Sequence, residues 1–493
     1  MLEKKYYINA GADGTFKPSK TPSLQVYDTT PGDMDKIFSE LAKNPPEQIV
    51  LNFHGGLVSV KKGMASATDF THEVLAKTKA YPISLVWETG LLETLTQDLS
   101  VIRSSKLFKK LLEKIIKSAA DKIGVEFSLP SNRSAGNALG LTYTKIQQEL
   151  EVEIPFENYD IDTTTRSATG GMTDKQLESE ISAEMEIELA YDQELLALLE
   201  MEKSEQELKV LPMEVLSTNE SERSRGIIST LLVLKPLVKI VFRVVKRFLK
   251  KRDHGFYPTV IEELIREFYV ADLGSLIWSS MKNKGRDMWT ENGGSGLNQR
   301  AGAYLIGSLE RFIGEHPATK IHVLGHSAGS IVACHLMEKL VERESAIRFD
   351  QLIFLAPACR CELFTEAILG NRQKFDRFRM FTMADDWETK DRLLPYIYTR
   401  SLLYLVSGAL ENDGKDYDAP ILGLQRHNSS EKPYHRMPFT KEIGDFLAGD
   451  ISRVVYSVTS EEAPPGFRSA SKKHGAFNDV GEETMDSVIY LLA

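Results

Sequence analysis

Residues 320–334, Lys-Ile-His-Val-Leu-Gly-His-Ser-Ala-Gly-Ser-Ile-Val-Ala-Cys, constrain the fold more than any other stretch of the chain. A short apolar run reads as a buried strand, and a helical pattern starts at Ala328-Gly329. Between them Gly325, Ser327 and Gly329 form a G-x-S-x-G pattern. Small residues on both sides of Ser327 let the backbone bend sharply enough to hold its hydroxyl at the strand's C-terminal end. The helix that follows aims free N–H groups and the positive end of its dipole at the same spot. Ser327 is therefore the leading candidate for a reactive side chain.

The surrounding chain alternates strands and helices. Tyr6–Asn9 and Ser23–Tyr27 alternate like early strands, and residues 34–41 read as a helix. Residues 48–53 form an apolar strand ending at His54-Gly55-Gly56-Leu57. Glycines at such a tip let backbone N–H groups approach a substrate oxygen. Gly55, Gly56 and the N–H of Ala328 are thus candidates for an oxyanion hole. A helix over 61–78 and a strand over 82–87 follow. Further strands are expected at 349–355, 377–383 and 453–458, with helices at 299–313, 329–342 and 483–492. Apolar strands interleaved with helices imply a mostly parallel central sheet with helices on both faces.

The alternation breaks after Trp87. Residues 94–123 read as a long helix, 124–173 as a polar and weakly periodic segment, and 174–208 as a helical stretch with a dozen Asp and Glu. No ordinary strand–helix connection needs so much chain. The expected division is a core part over 1–99, one mainly helical insertion over 100–285, and a second core part over 286–493. Inside the insertion, Arg225–Arg252 is amphipathic and cationic. Ile227, Leu231, Leu234, Val238, Val241, Val245 and Phe248 follow helical spacing, opposite Lys235, Lys239, Arg243, Lys246 and Lys250. A membrane-spanning helix is excluded by cost, about 2.5–3.5 kcal/mol for each cation near a bilayer centre, and Pro236 is expected to kink or start the helix. Three readings stay open: peripheral contact with an anionic membrane through residues 227–252, a lid helix that packs its apolar face on the core with its lysines solvated, or docking in the groove of a partner protein. The acidic stretch could neutralise the basic face.

A serine hydroxyl is a poor nucleophile unless a base within hydrogen-bond reach takes its proton, and that base needs an acid to fix its tautomer. The chain offers Ser327, then Asp385 and Asp386 after the strand 377–383, then His474 in the loop after the last strand. Asp385 is preferred narrowly over Asp386, with Glu388 more distant. His427 and His435 compete for the role of base but follow no strand. His326 is expected to pack beside the serine, His335 to lie in the core, and His54 to shape the glycine turn.

Phe53-His54-Gly55-Gly56, Gly325-His326-Ser327-Ala328-Gly329 and the His474-Gly475 loop together resemble the α/β-hydrolase superfamily, on its lipase and esterase side. The resemblance spans about residues 45–95 and 295–493 and leaves the insertion uncovered. It implies acyl transfer through an acyl-serine, a hydrophobic acyl-ester or lipid substrate, and neither a metal nor an organic cofactor. Thioesterase or protein deacylase chemistry, or an idle scaffold, are the alternatives. A net charge of -10 and a pI near 5.7 argue against a global nucleic-acid surface. Cys334, Cys359 and Cys361 are too few and too close for a disulfide framework or zinc site, so buried reduced thiols are expected. With no apolar run of signal-peptide length at the N-terminus, the expected location is cytoplasmic, peripheral on the inner membrane surface if residues 227–252 bind lipid. Glu291–Gly296 is expected to be a flexible joint, and Asp413–Asp418 a solvated turn.

Overall fold

The computed structural model describes residues 2–11, 13–56, 58–87, 105–123, 141–157, 171–204, 225–268, 275–411, 417–428 and 432–493, with Thr89, Ser100 and Arg103 between them. Most of the expected polar segment 124–173 and of the turn 413–418 lies outside these residues. The chain divides into two compact units. One comprises Met1–Glu93, Ile277–Asp391 and Pro420–Ala493, and the other Thr94–Leu276 and Arg392–Ala419.

The first unit is built on seven strands: β1 (Tyr7–Ala10), β2 (Gln48–Phe53), β3 (Ala80–Trp87), β4 (Lys320–His326), β5 (Phe349–Leu355), β6 (Phe375–Met383) and β7 (Val454–Ser457). Every pair is parallel, in the order β1-β3-β2-β4-β5-β6-β7. The central strands are buried along nearly their whole length, as a parallel sheet covered on both faces requires. Parallel neighbours need crossovers, and in chain order the helices are α1 (Pro31–Lys43), α2 (Val60–Lys77), α3 (Lys106–Ile123), α4 (Tyr143–Leu150), α5 (Asp174–Ala190) and α6 (Gln193–Ser204). They continue with α7 (Arg225–Leu249), α8 (Phe256–Phe268), α9 (Ser275–Asp287), α10 (Ala301–Glu315), α11 (Gly329–Glu342) and α12 (Cys361–Ala367). The last are α13 (Asp385–Glu388), α14 (Leu402–Leu405), α15 (Pro438–Ala448) and α16 (Glu483–Leu492).

The strand order reverses once. The chain steps outward from β2 to β3, then returns to lay β4 on the other side of β2, in a register that pairs Phe53 with Gly325. In open α/β sheets ligands bind at such a reversal, beyond the carboxyl ends of the strands. The His54-Gly55-Gly56 tip and the Ser327 bend are the two segments that leave those ends.

One expected strand is not a strand. Residues 22–27 form a 3-10 helix with Pro22 in its first turn. Proline fixes φ and lacks the N–H a ladder needs. Three residues per turn then bring Leu24 and Tyr27 to one side, where both pack on a cluster that includes Leu2, Tyr7, Val60 and Met64.

The second unit is helical, and α7 is central to it. Helices α3, α5, α6 and α8 all pack on α7, whose Val233, Leu234, Leu237, Val238, Ile240, Val241, Val244, Val245 and Phe248 are buried. At about 1.5–3 kcal/mol per buried aliphatic or aromatic side chain, this face cannot leave its neighbours without dismantling the unit. The apolar side, whose partner the sequence left open, is occupied by the protein's own helices over its described length. Pro236 neither starts nor ends the helix. Helix α5 covers α7 through Leu177, Ile181, Met185 and Leu189, one residue every turn, and its Asp174 pairs with Lys246 at 2.6 Å. Acidic residues of α5 and of the turn before α6 also pair with α3: Glu180 and Glu184 with Lys122, Asp192 with Lys110 and Lys114. Among the described residues no helix is long and apolar enough to cross a membrane.

Within this unit Arg247 is fully buried between Glu262, at 2.7 Å, and Glu263, at 3.1 Å. Burial opposes its charge, but Glu262, Glu263 and Asp418 together hold the guanidinium protonated well above its ordinary range. Removing one partner of a buried pair strands the others in a low dielectric. Arg247→Met is therefore expected to destabilise the helical unit by about 3–5 kcal/mol, measured by calorimetric or denaturant unfolding. A loss below about 1 kcal/mol, the value of an exposed pair, would contradict the assignment.

Candidate active site

The bend at Ser327 is held by crowding and by hydrogen bonds. Ser327 has φ +51°, in the left-handed region that non-glycine residues rarely enter. Its N–H donates to Leu355 O at 2.8 Å, and its carbonyl accepts from Ala358 N and from Ser330 Oγ. Strand β5 and the first turn of α11 thus fix the strained residue from both sides. The flanking glycines are sterically required: a Cβ on Gly329 would sit 2.1 Å from Phe53 O, and one on Gly325 would sit 2.9 Å from Gly329 O. Close approach of α11 to the end of β2 is what brings the two loops together.

Gly55 and Gly56 lie against the bend. A Cβ on Gly55 would come within 3.4 Å of Ser327 Cβ, and one on Gly56 within 2.6 Å of Ala328 Cβ. The three residues expected to form an oxyanion hole are therefore gathered beside the serine. On its other side Gly56 is covered by the Met281 thioether of α9, 2.4 Å from the same Cβ position. His54 steadies the tip. Its ring stacks on Trp87 at 4.1 Å, Nε2 accepts from Trp87 N at 3.2 Å, and Nδ1 therefore carries the proton it donates to Gly55 O at 2.6 Å. Fixing that carbonyl fixes the Gly55–Gly56 peptide, whose N–H points opposite to its C=O.

The imidazole of His474, from the 3-10 turn His474–Asn478, reaches Ser327: Nε2 stands 2.9 Å from Oγ. Asn478 ties this turn to α2 through Ser66 Oγ at 3.1 Å. Both groups are almost shut off from solvent, Ser327 at 4 % and His474 at 6 % exposure. Beside them His326 stacks on the His474 ring at 5.6 Å and approaches its carbonyl with Nε2 at 3.4 Å. Burial is the main cause that lowers His474 to about 3 and both His54 and His326 to about 4; the His326 ring lowers its two neighbours further.

Four buried imidazoles of this unit, these three and His322, titrate below their ordinary value of 6.5. Below that pH the unfolded chain binds more protons than the folded one, so stability is complete above it and declines as pH falls toward 4. The unfolding midpoint is expected to drop steadily between about pH 7 and pH 5, before carboxylates titrate. A flat profile there would contradict this burial.

The expected acids do not reach the imidazole. Asp385 opens the short helix α13, where its N–H is capped by Gln425 Oε1 at 2.8 Å, and Asp386 is exposed. Among the described residues His474 Nδ1 has no hydrogen-bond partner, so neither carboxylate bonds to it. The carboxylate that does touch His474 is Asp391, whose Oδ2 accepts the His474 backbone N–H at 2.8 Å. Burial raises the Asp391 pKa above the ordinary carboxylate value, against the His474 N–H and Lys473. Neither competing histidine bonds to Ser327, whose Oγ meets His474: His427 is buried against Tyr434 and accepts from Ile421 N, and His435 makes no contact with the serine; His335, expected in the core, is only partly buried and pairs with Glu338 on α11. Cys334, Cys359 and Cys361 are buried free thiols. Among the described residues no cluster of three or more His, Cys, Asp or Glu is placed to hold a metal ion.

An all-parallel seven-stranded sheet, with a strained serine at its topological reversal and a histidine from the last loop upon it, defines an α/β hydrolase. Residues 303–389, from α10 through α13, match the family described as "Alpha/beta hydrolase of unknown function (DUF900)", in keeping with the α/β-hydrolase fold of the sheet unit. No curated protein and no solved structure matches it.

Proposed function

We propose that the chain hydrolyses carboxylic esters of hydrophobic acyl groups through an acyl-serine at Ser327. The observation that carries this reading is the 2.9 Å contact between His474 Nε2 and Ser327 Oγ beside the Gly55–Gly56 tip. His474 Nε2 takes the hydroxyl proton as Oγ attacks the acyl carbon. The oxyanion is met by backbone N–H groups of Gly56 and Ala328. The protonated imidazole then gives its proton to the leaving alcohol, whose C–O bond breaks, and the acyl-serine remains. Water loses a proton to the same nitrogen, attacks the acyl carbon, and releases a carboxylic acid with Ser327 regenerated.

Asp391 is the acid in this scheme in place of Asp385 or Asp386. Its carboxylate already holds the backbone N–H of the base, and the scheme requires its other oxygen to reach Nδ1 of the same histidine. The apolar character assigned to the acyl group rests on Met281, which walls the oxyanion side. A small fluorophosphonate probe tests the chemistry. It is expected to label the wild type and not Ser327→Ala, and short-chain p-nitrophenyl esters are expected to compete. A folded wild type that resists the probe at every concentration would make the fold an idle scaffold. Labelling without ester turnover would favour thioesters or acylated proteins.

A further inference from the structure

Away from Ser327, the sheet unit carries a cavity of about 280 Å³ along one face of α10, flanked by the turn Glu291–Gly294. Ala303 and Gly307, a turn apart, form its floor, and a Cβ on Gly307 would meet nothing within 4 Å. Three arginines converge on it: Arg300, Arg311 and Arg343. Arg343 is satisfied by Glu310 at 2.9 Å and by Glu291. The other two have no carboxylate. Arg311 meets only the Ser308 hydroxyl at 3.3 Å and the Tyr304 hydroxyl. Arg300 makes no side-chain hydrogen bond or ion pair among the described residues, and its Nε is closed off from solvent with no partner. The nearby Asp35 is engaged by Tyr304, whose hydroxyl donates to it at 2.7 Å.

The Arg300 Nε is a donor shut off from water and left unsatisfied, which a ligand oxygen would relieve, and the exposed Arg311 stands beside it with no carboxylate among the described residues. In a chain of net charge -10 no general excess of cations accounts for such a pair. The forked donors of arginine suit an oxyanion with several oxygens, which two such groups can grip at once, better than a single carboxylate. We propose that this cavity binds the phosphate group of a phosphorylated molecule, with Arg300 and Arg311 as the principal contacts. The turn Glu291–Gly294 lacks the Lys-Ser/Thr ending of a nucleotide phosphate loop. The arginines of α10 therefore carry recognition, and the turn supplies a wall. This site is independent of the ester chemistry at Ser327.

The full chain would be titrated calorimetrically with inorganic phosphate and pyrophosphate at low salt. In parallel it would be floated with phosphatidylcholine vesicles with and without phosphatidic acid. Saturable binding to the soluble anions marks a free phosphorylated ligand, and binding confined to phosphatidic acid vesicles marks a lipid headgroup. In either arm Arg300→Gln and Arg311→Gln are each expected to weaken binding about tenfold or more, with fluorophosphonate labelling of Ser327 unchanged. Arg311→Lys should fall between. Absence of saturable binding in both arms, or wild-type affinity in both glutamine variants, would overturn the proposal. Should Arg300→Gln fail to fold, the exposed Arg311 decides alone.

Discussion

His474→Ala is expected to lower kcat for ester hydrolysis by about 10⁶, as much as Ser327→Ala. The two groups act as a unit across a 2.9 Å hydrogen bond, and neither is effective without the other. The double variant should therefore be no slower than either single one, the non-additivity expected of a nucleophile and its base. Histidines that only surround the site must behave differently. His427→Asn and His335→Asn are expected to keep activity within about tenfold of wild type, since neither ring touches Ser327 or His474. His326→Asn occupies an intermediate position, because it removes the ring stacked on His474 but leaves proton transfer in place. Rates measured on a short-chain ester under single-turnover conditions separate these cases. Retention of more than about one per cent of activity in His474→Ala would exclude it as the base.

The second large effect concerns the acid. Asp391→Asn is expected to lower kcat by about 10³–10⁴ while leaving KM for a short ester nearly unchanged. The amide oxygen can still accept the His474 backbone N–H, so the turn holds its place. An amide cannot, however, stabilise an imidazolium or impose the Nδ1–H tautomer that Ser327 requires. Asp386→Asn, at an exposed position, should stay within about threefold of wild type. Asp385→Asn should stay close to it, because its carboxylate makes no hydrogen bond to His474 Nδ1. If Asp385→Asn instead shows the 10³-fold loss and Asp391→Asn does not, the sequence-based choice was right, and the side chain after β6 must swing toward His474 on substrate binding.

What could be read without coordinates is governed by local sterics. Glycines around Ser327, the His54-Gly55-Gly56 tip at a strand end, and a histidine in the last loop each announce themselves within a few residues. Backbone crowding and strand termination are short-range effects, and a residue such as Gly329, whose Cβ would collide with Phe53 O, is fixed by them. Residues 22–27 mark the edge of that reliability. There a period-two pattern was outweighed by the fixed φ of Pro22 and by the side on which Leu24 and Tyr27 had to pack.

Choosing among carboxylates was of another kind. Asp385, Asp386 and Asp391 all follow β6, and only the position of the His474 turn, held to α2 by Asn478, puts the Asp391 carboxylate on the backbone N–H of His474. The fate of the cationic helix was equally non-local: its amphipathic pattern is the same whether the apolar face meets lipid or protein, and only the packing of α3, α5, α6 and α8 distinguishes them. That residues 392–419 join the helical unit likewise has no signature along the chain. The sequence by itself determined which backbone could bend, and where a hydroxyl, a pair of glycines and an imidazole would stand at strand ends. Tertiary structure alone decided which carboxylate holds the backbone N–H of residue 474 and what covers the apolar face of α7, because contacts between distant segments depend on where the whole chain has already been folded.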